Sequence, residues 1–167
     1  IFFSGVRTFK RILSRETIVF STDPLIGAIL NLTTSNSEFS GLTITGPFNI
    51  LQGNGNLLVT DSFVWTNGVL EGSGTLFTSG DVTFNGSLTL NKNIVTGGTT
   101  NLSGGSLNMS RQLRNTGTFI MPDGVSIGGG SVRNDGTFEK SAGSGEAVIN
   151  SPFTNNGTVD AQSGTLS

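Results

Sequence analysis

Two aspartates and one tryptophan are the residues of this sequence whose types and spacing suit chemistry on a sugar polymer. Asp61 and Asp81 are 20 positions apart, and Trp65, the only tryptophan, follows the first of them closely. Paired carboxylates serve as acid and base, or as nucleophile, in glycoside hydrolysis. An aromatic ring can support a sugar face. We therefore take these three residues as candidate glycan contacts, with turn and core roles as the competing interpretation.

Most other catalytic chemistry is excluded by composition. The chain has no His and no Cys, so Ser–His and Cys–His triads and His/Cys zinc sites are ruled out. Glu139 and Asp160 fall at one phase of a repeat described below, where stacked carboxylates attract a cation. The dense Gly-Gly-x-Gly-x-Asp runs of calcium-loaded solenoids are missing, however. We predict no catalytic residue, no cofactor and no metal site, and hence no enzyme.

The overall composition favours a folded, β-rich chain of one ordinary domain. Of 167 residues, 34% are hydrophobic, 12 are Phe and 25 are Gly. Only 12% are charged and the net charge is −2, which argues against nucleic-acid binding. No apolar run reaches the roughly 20 residues that span a bilayer, so we predict no transmembrane segment.

One hexapeptide occurs three times in the second half of the chain. It reads RNTGTF at 114–119, RNDGTF at 133–138 and TNNGTV at 154–159. Alternating apolar and Ser/Thr/Asn residues surround each copy, which is the pattern of half-buried strands. We predict that equivalent positions stack as ladders: Asn115, Asn134 and Asn155; Gly117, Gly136 and Gly157; Phe119, Phe138 and Val159. The variable letter of the motif is expected to face solvent.

Two architectures fit short strands punctuated by Asn-Gly and Asp-Gly. The hairpins of a β-sandwich use such turns, but neighbouring antiparallel strands need not have similar sequences. In a β-solenoid the same phase of successive coils lies about 4.8 Å apart, so a residue that suits one coil suits the next. The repeat therefore predicts an all-β parallel solenoid with coils of about 19–21 residues.

Four stretches carry a resemblance to a known class of protein. They are FVWTNGVLEGSGTLFTSG at 63–80, SGGSLNMSRQLRNTGTF at 103–119, SVRNDGTFEKSAGSGEAVINS at 131–151 and FTNNGTVDAQSGTLS at 153–167. These resemble the Gly/Asn-rich repeats of right-handed parallel β-helix surface proteins, such as adhesins and autotransporter passengers. The resemblance implies a right-handed coil and an extracellular or cell-surface location.

Residues 1–45 differ in character from residues 46–167. Val6, Phe9, Ile12 and Leu13 are spaced as in a short amphipathic helix, and four of the nine basic residues fall in the first 15 positions. We predict an N-terminal cap or arm over 1–45, with such a helix, and solenoid repeats over 46–167. The phrase SGTLS at 163–167 reads as the opening of a further coil, so the C-terminal end is expected to be uncapped.

These features together favour a structural protein over an enzyme. We expect an adhesin stalk or surface-fibre subunit whose partners are a further copy stacked head to tail, or flanking repeats, and surface glycans. The alternative is a carbohydrate-binding or carbohydrate-cleaving β-helix that uses Asp61, Asp81 and Trp65. Ice binding would need regular Thr-x-Thr ladders, and LTITG at 42–46 and SLTLN at 87–91 are too few.

Overall fold

The structure, a computed structural model, describes residues 6–9, 13–20, 28–33 and 36–167. Within them it holds sixteen strands in one sheet and no helix, so none of the described segments is a helix that could cross a membrane. The strands are β1 (Val6–Phe9), β2 (Leu13–Phe20), β3 (Ile29–Leu32), β4 (Ser37–Ile44), β5 (Ile50–Gln52), β6 (Leu57–Trp65), β7 (Gly68–Thr78), β8 (Asp81–Thr96), β9 (Thr99–Asn115), β10 (Thr118–Met121), β11 (Ser126–Asn134), β12 (Thr137–Lys140), β13 (Glu146–Asn150), β14 (Phe153–Asn155), β15 (Thr158–Ala161) and β16 (Thr165–Leu166).

Every strand pairing in the described chain is parallel, and the pairings sort the strand segments into three ladders that we call faces. Face 1 contains β1, β3, β5, the start of β7, the middle of β8 and of β9, the start of β11, β13 and β16. Face 2 contains the start of β2, β4 and β6, the ends of β7, β8, β9 and β11, and β14. Face 3 contains the ends of β2, β4 and β6, the start of β8 and β9, and β10, β12 and β15.

The chain passes through the three faces in turn and then repeats, which makes a β-solenoid of about 7 turns. The predicted fold class is therefore confirmed, and the sandwich of antiparallel hairpins is wrong. Parallel stacking makes each coil pair with the coil before and after it, so identical words recur in register. The right-handed sense of the coil stays a prediction.

The interior is filled by stacks that run along the solenoid axis. On face 3, Trp65 meets the edge of Phe84 with ring centroids 5.6 Å apart, and Phe119 stacks on Phe138 at 4.9 Å with an interplanar angle of 5°. Along most of β6, β7 and β8, side chains on alternate positions are buried, as the period of two requires. Aromatic contacts between successive coils add attraction beyond the apolar area that they bury.

The predicted N-terminal helix is wrong in the described residues. Val6–Phe9 is strand β1, paired in parallel with Ile29–Leu32, and β2 pairs with β4. A helix with so few apolar positions would be marginal by itself, whereas a strand there satisfies the backbone groups at the edge of the next coil. The described strands of the first 45 residues thus share the architecture of the rest. Their role as a cap stays a prediction.

From Ser79 onward, the corner between faces 2 and 3 is a two-residue turn whose second member is Gly. A Cβ on Gly136 would lie 2.1 Å from the carbonyl oxygen of Gly117, and one on Gly157 would lie 2.0 Å from that of Gly136. Neither glycine has a positive φ. The close approach of two coils therefore requires Gly at this position of the hexapeptide. A left-handed backbone conformation is not the reason.

Candidate functional site

The three repeated asparagines lie inside the corner between faces 2 and 3, one above another. Asn115 Nδ2 donates to Asn134 Oδ1 at 2.8 Å, and Asn134 Nδ2 donates to Asn155 Oδ1 at 2.8 Å. Asn115 and Asn134 are fully buried. The amides thus form a chain of hydrogen bonds parallel to the solenoid axis.

Each amide also closes the turn that follows it. Asn134 Oδ1 accepts from the backbone N–H of Gly136 at 3.3 Å, and Asn134 Nδ2 donates to the carbonyl of Thr158 in the next coil at 2.8 Å. No described residue other than Gly has a positive φ. Asn is therefore used for its side-chain amide, which satisfies backbone groups on two coils, and its tolerance of a left-handed backbone is not needed.

The same corner continues toward the N-terminus with threonine in place of asparagine. Thr78, Thr96 and Asn115 are successive register partners, and Thr96 Oγ1 lies 3.4 Å from Asn115 Oδ1. Thr78 Oγ1 is buried with no hydrogen-bond partner. The polar ladder therefore runs from Thr96 to Asn155. Sequence reasoning missed the threonine positions because they lack the Asn-x-Gly spelling.

In one coil, the residue at the variable position of the hexapeptide is an aspartate that accepts hydrogen bonds from three other side chains. Thr116 and Asn156 are exposed as expected, but the Asp135 side chain is only 16% exposed. Its carboxylate accepts from Asn156 Nδ2 at 2.9 Å, from Arg114 Nε at 2.5 Å and from Arg133 Nε at 2.9 Å. These donors, Asn156 first, hold the pKa of Asp135 well below its usual value. The expectation of a purely solvent-facing position is wrong for Asp135, because the two stacked arginines need a counter-charge.

Two lysines point into the solenoid, which the sequence did not indicate. Lys140 is fully buried, and its Nζ donates to Asp123 Oδ1 and to the carbonyl of Ala142. This hydrogen bond from Lys140 lowers the pKa of the Asp123 carboxyl. The salt bridge pins the turn between faces 3 and 1, since Asp123 Oδ2 also accepts from the N–H of Gly145 at 2.9 Å.

Lys92 has no acidic partner among the residues that the structure describes. It is 3% exposed, and its Nζ donates to the carbonyl of Gly53 at 2.8 Å and to that of Gly55 at 3.4 Å, almost two coils away. Burial lowers the pKa of Lys92 to about 8. The ammonium therefore ties neighbouring coils together through carbonyl groups alone, at a desolvation cost that an ion pair would have reduced.

A polar groove of about 480 Å³ lies outside this lysine, at the corner between faces 1 and 2. Stacked amide and carboxyl side chains line it, and Asn91 Oδ1 at its edge accepts from Ser110 Oγ at 2.8 Å. The lining residues are Asn31, Thr33, Gln52, Gly53, Asn54, Glu71, Gly72 and Asn91. Their hydrogen-bonding groups suit a neutral, hydroxyl-rich ligand.

The structure does not bring the predicted glycan contacts together. Asp61 and Asp81 are both exposed on adjacent coils, but the register partner of Asp81 is Ser62, so the two aspartates are one position out of line. Trp65 is 0% exposed. The prediction of Trp65 as a sugar platform is therefore wrong, because its ring packs against Phe63 and Phe84 in the core. A role for Asp61 and Asp81 stays a prediction.

The candidate cation site consists of the two carboxylates of Glu139 and Asp160. Glu139 and Asp160 are register partners on the outer side of face 3. Among the described residues there is no group of three or more His, Cys, Asp or Glu arranged to hold a metal ion. Two stacked carboxylates alone leave most of the coordination of a hard cation such as Ca²⁺ to water.

Replacement of the central asparagine tests the ladder. In Asn134→Ala, Asn115 and Asn155 lose their amide partner and the N–H of Gly136 is left without an acceptor, so we expect the free energy of unfolding to fall by about 3 kcal/mol or more. Urea denaturation followed by circular dichroism measures the loss. Asn108→Ala is the matched control, since Asn108 is exposed and its change should stay within about 0.5 kcal/mol. Equal effects would refute the ladder's role in stability.

Alkaline titration of stability tests the buried state of Lys92. Its pKa is about 8 in the folded chain and about 10.4 when unfolded. Between these values the unfolded chain binds more protons, so stability should rise with pH, by about 3 kcal/mol or less. Tyr and Cys are absent, which leaves few other groups to titrate there. Urea midpoints should rise in the wild type and in the exposed control Arg111→Met, and should stay flat in Lys92→Met; a parallel rise in Lys92→Met would contradict the assignment.

Comparison of the chain with protein-family models, with curated proteins and with solved structures found no match.

Proposed function

We propose that this chain is a non-enzymatic structural β-solenoid of an extracellular or cell-surface protein, either a stalk or a unit of a fibre. The observation that carries the proposal is the polar ladder from Thr96 to Asn155, buried as far as Asn134, which runs along the axis and cross-links successive coils. Axial hydrogen bonds of this kind resist separation of the coils. They contribute rigidity to a rod and have no evident use in catalysis.

The distribution of ionisable groups supports the same proposal. Asp135 and Lys140 form salt bridges with other side chains of the solenoid, namely with Arg114 and Asp123. Trp65, one of the candidate glycan contacts, is buried in the core. What the surface offers instead is an array of Ser, Thr and Asn side chains, a composition suited to an extended, hydrated rod.

The proposed function includes stacking along the axis, with a further coil of the same protein or with another copy. In the coil that contains β15, Val159 is 43% exposed although it continues the inward stack of Phe119 and Phe138. An apolar side chain at that phase is suited to cover by a neighbouring coil. Backbone groups on such an edge also favour strand addition.

Electron microscopy and sedimentation of the purified chain test axial stacking. We expect rods that lengthen with concentration at constant width, and a loss of this lengthening in Val159→Asp, because the charge would be buried between coils. Asn101→Asp, on the exposed side of face 3, is the control and should still lengthen. Single rods of fixed length at all concentrations would contradict axial stacking.

A carbohydrate-binding role is the second candidate, and the polar groove favours it. Five side chains with amide or carboxyl groups line one continuous groove, and such groups bind sugar hydroxyls: those of Asn31, Gln52, Asn54, Glu71 and Asn91. This location differs from the Asp61 and Asp81 pair. A rod that bears a glycan groove would act as an adhesin.

Calorimetry against a panel of neutral polysaccharides separates the two sites. If the groove binds glycan, affinity should fall about tenfold or more in Asn91→Ala, the loss of one or two hydrogen bonds, and should be unchanged in the double variant Asp61→Asn, Asp81→Asn. Release of reducing sugar that is lost in the double variant would instead establish the cleaving alternative. No binding by the wild type would leave the groove without a role in glycan binding.

A further inference from the structure

One outward stripe of face 2 differs from the rest of the described surface. Five side chains at the same phase of successive coils lie one above another, as the strand register shows: Glu38, Leu58, Phe77, Val95 and Arg114. Their neighbours on either side along each strand are buried. At about 4.8 Å per strand the stripe is roughly 19 Å long.

The middle of the stripe is apolar and its flanks are polar. Phe77 is 38% exposed, one of three large hydrophobic residues that are exposed in the described chain. Leu58 and Val95, directly below and above it, are half-buried. The next outward positions along the strands carry Asn, Ser, Thr, Gln or Gly. An apolar centre with an uncharged polar rim is the usual anatomy of a protein interface.

The two ends of the stripe carry opposite charge. Glu38 is exposed at one end. At the other end Arg114 is followed in register by Arg133, and both bind Asp135, so this end has a net charge of one positive unit. The Arg114 side chain is 43% exposed, and the ion pair with Asp135 fixes its position. The stripe is thus an apolar segment with a negative end and a positive end, equidistant from Phe77.

We propose that this stripe is a self-complementary surface through which a second copy of the chain binds side by side, with the two rods antiparallel. A two-fold axis parallel to the strands, above Phe77, maps the stripe onto itself in reverse. Phe77 then meets Phe77 of the second copy, and Leu58 meets Val95. Glu38 of each copy lies opposite Arg114 of the other, so both ion pairs form at once.

Charge selects this orientation over its alternative. A two-fold axis parallel to the rod would also bring Phe77 against Phe77, but it would place Glu38 against Glu38 and the arginines against arginines. Like charges held opposite each other in an interface are unfavourable. The antiparallel arrangement is therefore the one that buries the same apolar side chains without repulsion.

A shallow recess lies where the second copy would enter. It has a volume of about 230 Å³ and lies against the acidic half of the stripe, beside Glu38, Leu58 and Phe77. In the antiparallel arrangement this half faces Val95 and Arg114 of the second copy. The recess gives the longer Arg114 side chain room beside Glu38.

This lateral contact is independent of the proposed axial stacking, since it uses the side of the rod and not its end. The apolar part comprises three side chains, so the contact area is small and the association is weak and concentration-dependent. Lateral contacts of this kind would join rods into bundles, whereas axial contacts lengthen them. Failure of one test therefore leaves the other proposal standing.

Single cysteines test the orientation, because the natural chain has none. A mixture of Leu58→Cys and Val95→Cys, which keeps Phe77 in both proteins, should form a disulfide-linked dimer under mild oxidation faster than Asn101→Cys, an exposed control on face 3. A mixture of Glu38→Cys and Arg114→Cys should cross-link more than either protein alone. Equal rates for the mixture of Leu58→Cys and Val95→Cys and for the control would overturn the proposal, and so would preferential cross-linking of Glu38→Cys with itself.

Charge exchange supplies a second measurement. In Val159→Asp, where axial stacking is expected to be lost, sedimentation should show a monomer–dimer equilibrium that weakens with added salt and is lost when Phe77→Ser is added. Glu38→Arg and Arg114→Glu should each weaken the dimer, and the double variant should restore it, since the ion pairs reform with reversed sign. Circular dichroism verifies that each variant is folded. A double variant that dimerises no better than the single ones would refute the pairing of Glu38 with Arg114.

Discussion

The parallel stacking of coils is the constraint on which the rest of the structure depends. Each side chain has as its nearest non-local neighbour the residue at the same phase one coil away, at about 4.8 Å. Such a neighbour must tolerate its own kind. Aromatic rings, amides and apolar chains do so, since rings stack and an amide is both donor and acceptor. Charges do not, and this explains why the stacked Arg114 and Arg133 share Asp135.

The fold could be predicted from the sequence because stacking of equivalent positions produces a repeated sequence motif. Asn-x-Gly-Thr at a spacing of 19 or 21 residues is difficult to explain unless the copies touch, and they do, at Asn115, Asn134 and Asn155. The first coils carry no such spelling. The spacing of Val6, Phe9, Ile12 and Leu13 predicts a helix. Ile12 lies outside the described residues, whereas Val6–Phe9 is a strand paired with β3. In so short a segment, the spacing of apolar residues has less influence on the conformation than pairing with an open sheet edge.

The candidate sites were harder to predict because they depend on register to within one residue. Asp61 and Asp81 are offset by one register position. Trp65 shares the inward phase of Phe63, and this alternation already made a core role the competing interpretation. The buried lysines fall in the same class. Lys92 occupies an inward position where its coil turns between faces 1 and 2 with one residue, and nothing in the local sequence identifies carbonyls nearly two coils away as its acceptors. Sequence pattern gives the period of a solenoid, whereas side-chain chemistry also requires its phase.

The two-residue turn between faces 2 and 3 has a consequence for how such a rod can change in length over evolution. That turn is constant from Ser79 onward, and a Cβ at its glycine would strike the preceding coil. Differences in coil length are absorbed at the other corners, such as the stretch from Ser141 to Gly145. Duplication of one whole coil would extend the asparagine ladder in register. Any other insertion at that turn would shift the register, so that an asparagine would lie beside a glycine of the next coil and lose its amide partner. The rod can therefore grow by complete units while its corner stays unaltered, so that length varies by modules and the cross-section does not.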